Sequence, residues 1–260
     1  MHVMQLLSLK NKVVLVTGGA GRYGKCIVEG CAEAQGTVVT ASRNLQAGQE
    51  IADTMRARGL DVHALHVDQG DHESVLALKQ SIEQQFGGLH IFVNNAVLRP
   101  LHGYASPLSE WEQSMRVNAI GMFDIIREMA DLIAGQGGGS IVNIGSMMGM
   151  FGPDLSNYEG TDLGDPPPDY FFHKGGVIGL THYLARVLAD KQIRANCISP
   201  GGLLAEKIQP KAFLANYTKK VPVGRMANND DIKGLVVFLA SEASAYVNGE
   251  NILMDGGMHC

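Results

Sequence analysis

Seven short apolar stretches, at 13–17, 37–41, 62–67, 89–94, 140–144, 194–199 and 251–254, are rich in Val and Ile and poor in charge. Strands apolar on both faces belong in a sheet that is covered on both sides. Between them lie longer segments at 23–34, 44–58, 71–86, 107–134, 171–190 and 228–240, where apolar residues return with helical spacing. Strand and helix alternate without a linker. That order predicts a single α/β domain, a doubly wound parallel sheet of about seven strands with helices on both faces.

Two segments break the rhythm. The run GQGGG at 135–139 predicts a flexible turn before a strand. Residues 147–169 are polar and rich in Pro and Gly, so a loop is expected there. A loop of that length inside a compact domain is usually either functional or disordered.

Composition narrows the class. The chain has 260 residues, is 45% hydrophobic and contains 32 glycines, which suits one large core with many tight turns. A net charge of −5 disfavours a general nucleic-acid binder, which needs a basic face. Cys26, Cys31, Cys197 and Cys260 form no CxxC pair and lie at no metal-ligand spacing. Reduced thiols, no metal site and a cytoplasmic location are therefore expected. The first residues show no secretory leader, and no apolar run is long enough for a membrane span.

The chemistry concentrates where strands end. The first strand runs into Thr17-Gly18-Gly19-Ala20-Gly21-Arg22-Tyr23-Gly24, and a helix follows. Glycines allow close approach to a pyrophosphate, and the helix N-terminus offers free N–H groups to the anion. The second strand ends in Ser42-Arg43, where an acidic residue would hold the ribose of NAD. A hydroxyl and a guanidinium there point to the phosphate of NADP, with NAD as the other option. Asp68 ends the third strand and Asn94-Asn95-Ala96 ends the fourth. These fit a cofactor groove, and they fit plain turn formers equally well.

Seven segments in order resemble the short-chain dehydrogenase/reductase family over essentially the full length. They are the loop 17–24, Asn94-Asn95-Ala96, Val117-Asn118, Ile144-Gly145-Ser146, Tyr170-Phe171-Phe172-His173-Lys174, Ser199-Pro200-Gly201 and Asp255-Gly256-Gly257. The resemblance implies a Rossmann-type domain that binds NAD or NADP and transfers hydride between it and a carbonyl or alcohol carbon, without metal. It implies a catalytic set of Asn118, Ser146, Tyr170 and Lys174. It places Gly18, Gly21, Arg22, Tyr23, Gly24 and Ala96 along the cofactor, Asp68 and Asn95 on its adenine side, and Pro200 and Gly201 near the nicotinamide. Tyr170 and Lys174 would also touch the cofactor. Homotetramers (or dimers) are implied through the helices after the fourth and fifth strands and the C-terminal segment.

Three departures mark this chain. Arg22 replaces the second loop glycine, Val97 replaces the glycine after Asn-Asn-Ala, and Ser146 and Tyr170 stand 24 positions apart, roughly twice the usual distance. Tyr158 occupies the usual spacing, but four residues beyond it stands Asp162, whereas Lys174 follows Tyr170 by four. The i, i+4 relation puts a phenol and an ammonium on one helix face. A free phenol titrates near pH 10, and a nearby cation lowers that value toward the useful range. The pattern selects Tyr170. His173 points elsewhere, as its neighbour in the chain must.

The extra residues carry Asp154, Glu159, Asp162, Asp165 and Asp169 together with three consecutive prolines at 166–168. The expectation is a semi-rigid lid whose acceptors bind a sugar, a sugar acid or a polyol. A solvated loop packed on a neighbouring subunit is the other reading. A 3-oxoacyl-[acyl-carrier-protein] reductase is the alternative function, with Lys207, Lys211, Lys219, Lys220 and Arg225 as a docking patch for an acidic carrier. A non-catalytic scaffold would be expected to lose the Tyr/Lys pair, and the pair is present.

Overall fold

The computed structural model describes every residue from Met1 to Cys260. A one-turn helix α1 (Val3–Leu6) precedes β1 (Val13–Thr17), α2 (Arg22–Glu33), β2 (Thr37–Ser42), α3 (Leu45–Arg56) and β3 (Val62–His66). Then come α4 (His72–Phe86), β4 (Ile91–Asn94), α5 (Leu108–Met115), a π turn (Arg116–Gly121), α6 (Met122–Gly135) and β5 (Gly139–Ile144). The chain ends with α7 (Pro168–Val187), β6 (Ile193–Pro200), α8 (Lys211–Thr218), α9 (Lys233–Ala240) and β7 (Asn251–Met254). All seven strands are parallel, in the order β3-β2-β1-β4-β5-β6-β7. The winding reverses between β1 and β4, and a crevice opens beyond the carboxyl ends of those strands.

Alternation along each strand divides the core. Val14 and Val16 pack with Cys26, Ile27, Ala52, Met55, Val236 and Leu239 from α2, α3 and α9. Val13 and Leu15 turn to the other face, onto Val75, Leu78, Ile82, Ile125, Met129, Ile133 and Leu184 from α4, α6 and α7. This double burial is why the strands read as continuous apolar runs. The four cysteines are free thiols, and only Cys260 is exposed.

Several helix boundaries differ from the sequence reading. The helix expected at 107–134 is broken into α5 and α6 by the π turn, which contains Asn118. A π turn displaces backbone carbonyls, and here the Val117 carbonyl accepts a hydrogen bond from Gln69 Nε2 at 3.0 Å. Helix α7 begins at Pro168 rather than at 171. Proline at the first helical position already has helical φ and lacks only an N–H that would be free anyway. The prolines thus start the helix and shorten the loop. Residues 147–169 also hold two short turns of 3-10 helix, Met147–Gly149 and Leu155–Tyr158. Helix α8 is short and half polar, so its period was too weak to read. Helix α9 starts at Lys233 because Asn228 and Asp231 are spent on a turn, with Asn228 N–H donating to Asp231 Oδ2 at 2.7 Å.

Gly121 packs so tightly that a Cβ there would lie 2.0 Å from the Gln69 carbonyl oxygen. Gly121→Ala should cost about 1–3 kcal/mol through overpacking. In contrast, a Cβ at Gly179 on α7 would meet nothing within 4 Å. Gly179→Ala should therefore gain up to about 1 kcal/mol from helix propensity. Urea unfolding midpoints for the two variants should move in opposite directions.

Candidate active site

The crevice at the β1/β4 switch is a cleft of about 680 Å³. Its floor at one end is the glycine loop. Gly18 has φ +65°, and a Cβ there would lie 2.9 Å from Ala96 Cα. At Gly24 a Cβ would come within 2.2 Å of the Gly18 carbonyl oxygen, so this glycine lies beneath the loop and does not face the cleft. Gly21 caps α2 without any side-chain hydrogen bond, leaving the first N–H groups of the helix available. A bare backbone cradle at a helix start fits a dinucleotide pyrophosphate.

Other expected cofactor residues fall into two groups. Arg22 and Arg43 line the cleft, are exposed and form no ion pair, and Ser42, Asp68, Ala96, Pro200 and Gly201 line it with them. Asn95 and Tyr23 also reach the cleft, but their polar ends brace its walls. Asn95 Nδ2 donates to the Thr17 and Gly18 carbonyls at 2.9 and 3.0 Å. The Tyr23 hydroxyl donates to the Gly201 carbonyl at 3.0 Å, and burial pushes its pKa up.

At the other end Ser146, Tyr170 and Lys174 come together. The Lys174 ammonium is buried, donates to the Ile144 carbonyl at 2.5 Å and lies 5.6 Å from the centre of the Tyr170 ring. Burial pushes its pKa down, and Tyr170 partly offsets this. Ser146 accepts the Met148 N–H at 3.1 Å, so its own hydrogen is free for another acceptor. Burial resists charging the Tyr170 phenol, but Lys174, Arg99 and Ser146 outweigh it and hold the pKa below its ordinary value.

Tyr158 does not join this group. Its ring lies 5.5 Å from that of Phe213, and burial pushes its pKa up. Asn118 lies behind Lys174, beside a cavity of about 20 Å³ shared with His173. Its side chain clamps the backbone of Leu98, accepting its N–H at 2.8 Å and donating to its carbonyl at 2.7 Å.

The acidic side chains of the insertion correct an expectation, for none of the five lines the cleft. Asp154 is held by Lys220 at 2.6 Å, Asp169 is buried against Ser114, and Glu159, Asp162 and Asp165 face solvent. Only Met147 and Met148 of this segment reach the cleft, and both are apolar. Carboxylates are cheaper in water or paired with a cation than in a half-dry groove. The basic patch is also reduced, because Lys220 is taken by Asp154 and Arg225 by Asp231.

One residue that the sequence reading missed stands over the phenol. The Arg99 guanidinium lies 4.2 Å from the centre of the Tyr170 ring and makes no ion pair. A lone arginine in a polar loop after a strand has no spacing to betray it. Asp169 and Ser114 were missed as parts of a buried cluster, although Asp169 and His173 repeat the i, i+4 relation of Tyr170 and Lys174 one residue earlier.

Known proteins agree with this geometry. A family profile described as enoyl-(acyl carrier protein) reductase matches residues 22–259. An uncharacterized oxidoreductase of Thermotoga maritima is 34% identical over 259 residues, with 96% of each chain covered. A 2-dehydro-3-deoxy-D-gluconate 5-dehydrogenase of Pseudoalteromonas atlantica is 31% identical over 263 residues, with 98% of each covered. A gluconate 5-dehydrogenase from Burkholderia cenocepacia J2315, crystallised with NADP and tartrate, has a TM-score of 0.87 at 29% identity, over 99% of this chain and 98% of that one. With its seven-stranded parallel sheet, its glycine-loop cradle and these matches across nearly the whole chain, the protein belongs to the short-chain dehydrogenase/reductase family of NAD(P)-dependent oxidoreductases.

Proposed function

We propose that the enzyme interconverts a secondary alcohol and a ketone on a small polyhydroxylated carboxylate, with NADP as the preferred cofactor. The observation that carries this reading is Arg99. It places an unpaired guanidinium beside Tyr170, and the only acidic side chain lining the cleft is Asp68, at the far end after β3. Such a site attracts a carboxylate, which a guanidinium can bind with two parallel hydrogen bonds. The two relatives named for gluconate-type substrates support the same class. Unpaired Arg22 and Arg43 on the adenosine side support the extra phosphate of NADP.

The roles follow from the positions. When bound, the nicotinamide takes or gives the hydride. The Ser146 hydroxyl donates to the substrate oxygen, and Tyr170 removes or returns that oxygen's proton. Lys174 and Arg99 favour the phenolate from two sides, and Asn118 holds the wall behind Lys174. The insertion acts as a fixed wall, since Lys220 ties it at Asp154, Ser156 and Asn157. Exposed Ile120, Phe123, Tyr183 and Val187 on the π turn, α6 and α7 support assembly of identical chains, and light scattering that found only monomers would refute it.

Tyr170→Phe should lower kcat for D-gluconate oxidation by about 10²–10⁴-fold while reduced-cofactor fluorescence shows unchanged binding. Activity near that of the unaltered enzyme would remove Tyr170 from the chemistry. Arg99→Met should raise KM for D-gluconate at least about tenfold and leave KM for neutral D-glucitol nearly unchanged. Equal effects on both, or turnover only with acyl thioesters, would overturn the substrate class. Alcohol oxidation needs the phenolate, so the rate falls as pH drops through the Tyr170 pKa. Arg99 lowers that pKa, so Arg99→Met should move the acid limb of the kcat profile to higher pH. Arg43→Ala should weaken NADP binding by about tenfold and spare NAD, as titration of cofactor fluorescence would show.

A further inference from the structure

We propose that Asp169 is a positioning residue that sets Arg99 over the Tyr170 ring, acting through Ser114, Asn118 and the backbone of Leu98. Helix α7 carries two i, i+4 pairs offset by one residue. Tyr170 and Lys174 line the cleft, whereas Asp169 and His173 are buried against α5. There Asp169 Oδ2 accepts the Ser114 hydroxyl, and Ser114 Oγ also meets Asn118 Nδ2 at 3.0 Å and His173 Nε2 at 3.0 Å.

Proton counting gives this cluster a direction. Asn118 Oδ1 takes the Leu98 N–H, so its Nδ2 end must donate to Ser114. A hydroxyl has one hydrogen and two lone pairs. The hydrogen goes to Asp169, one lone pair goes to Asn118, and the other receives N–H from His173 Nε2. Every valence of Ser114 is used. The contacts then close a ring: Asp169 to Ser114, Ser114 to Asn118, Asn118 to Leu98, the next residue Arg99 to Tyr170, and Tyr170 by its peptide bond to Asp169.

The ring is a poor stabilising device. Asp169 is 1% exposed, and its second carboxylate oxygen, Oδ1, has no partner. A half-satisfied buried carboxylate costs stability, and an apolar replacement of the whole cluster would often fold as well or better. What the carboxylate supplies is an acceptor that orients Ser114 and, through it, the loop that carries Arg99.

The inference rests on the proposed role of Arg99, and one set of variants separates the two. Asp169→Leu and Ser114→Ala would be compared with Arg99→Met for kcat/KM on D-gluconate and D-glucitol, for the acid limb of kcat, for cofactor binding and for thermal midpoint. The charged or titratable groups around Tyr170 are Lys174 on its own helix, Arg99 on the β4 loop, Tyr23 on α2 and the adjacent Asp169. Loss of the Asp169 carboxylate by itself would favour the phenolate and move the acid limb to lower pH, so a shift to higher pH reports displacement of Arg99. Asp169→Leu leaves the buried Ser114 hydroxyl without its acceptor, so it is expected to melt somewhat lower than the parent protein while still folding and binding cofactor normally. It should nevertheless cut the gluconate-to-glucitol preference by about tenfold and move the acid limb to higher pH, as Arg99→Met does. If Arg99→Met shifts both readouts and the other two variants shift neither, the positioning role is wrong and the substrate reading survives. If Arg99→Met leaves the preference intact, the substrate reading fails, and a common shift of the acid limb in all three variants would still support the ring. Loss of cofactor binding in both Asp169→Leu and Ser114→Ala would assign the cluster to folding and overturn the proposal.

Discussion

A phenol surrendering its proton inside a protein needs positive charge on call, because burial alone favours the neutral form. At Tyr170 that charge comes from two directions. Lys174 is one helical turn along α7, anchored to the carbonyl at the end of β5, and Arg99 covers the ring from the loop after β4. Neither cation is neutralised by a carboxylate. The rest of the molecule can be understood as the scaffold that keeps two uncompensated cations beside one hydroxyl, Lys174 buried beneath it and Arg99 on the open side of the cleft.

That scaffold begins with the sheet. Parallel strands buried on both faces place all their carboxyl ends on one rim, and the reversal of winding between β1 and β4 separates the loops there enough to leave a cleft. The glycine loop after β1 and the Arg99 loop after β4 become its two sides. Asn95 and Tyr23, read from sequence as cofactor contacts, are used to tie those sides to Thr17, Gly18 and Gly201. A wide polar cleft at a sheet edge needs such internal fastening, since its backbone groups have few strand partners left.

Much of this was legible in the chain, and the physical reason is periodicity. All seven strands and the helices with long apolar stripes announce themselves because burial forces a repeat, and the spacing of Tyr170 and Lys174 is itself a helical repeat. Arg99 belongs to no repeat, and the i, i+4 spacings of Ser114 with Asn118 and of Asp169 with His173 do not say what each pair faces. Their proximity is produced by three different elements folding onto one another, a fact that single-residue chemistry cannot encode. Asp169 was grouped with the acidic insertion because it ends a polar run, yet it is the second residue of a helix whose start Pro168 had already marked. The insertion itself misled through composition: a cluster of acids suggested hydroxyl binding, whereas solvent and Lys220 claim them.

The π turn at Arg116–Gly121 has a consequence for how this chain can change. It is equivalent to one extra residue inserted into a helix, and one residue corresponds to about 100° of rotation. Remove it and the hydrogen-bond ladder would become regular, but α5 and α6 would fall out of phase. Ile125, Met129 and Ile133 could then face the sheet only if Ser114 swung away from α7. The segment is therefore intolerant of length variation in a way that its modest polarity hides, and single-codon deletions there should be far more damaging than substitutions.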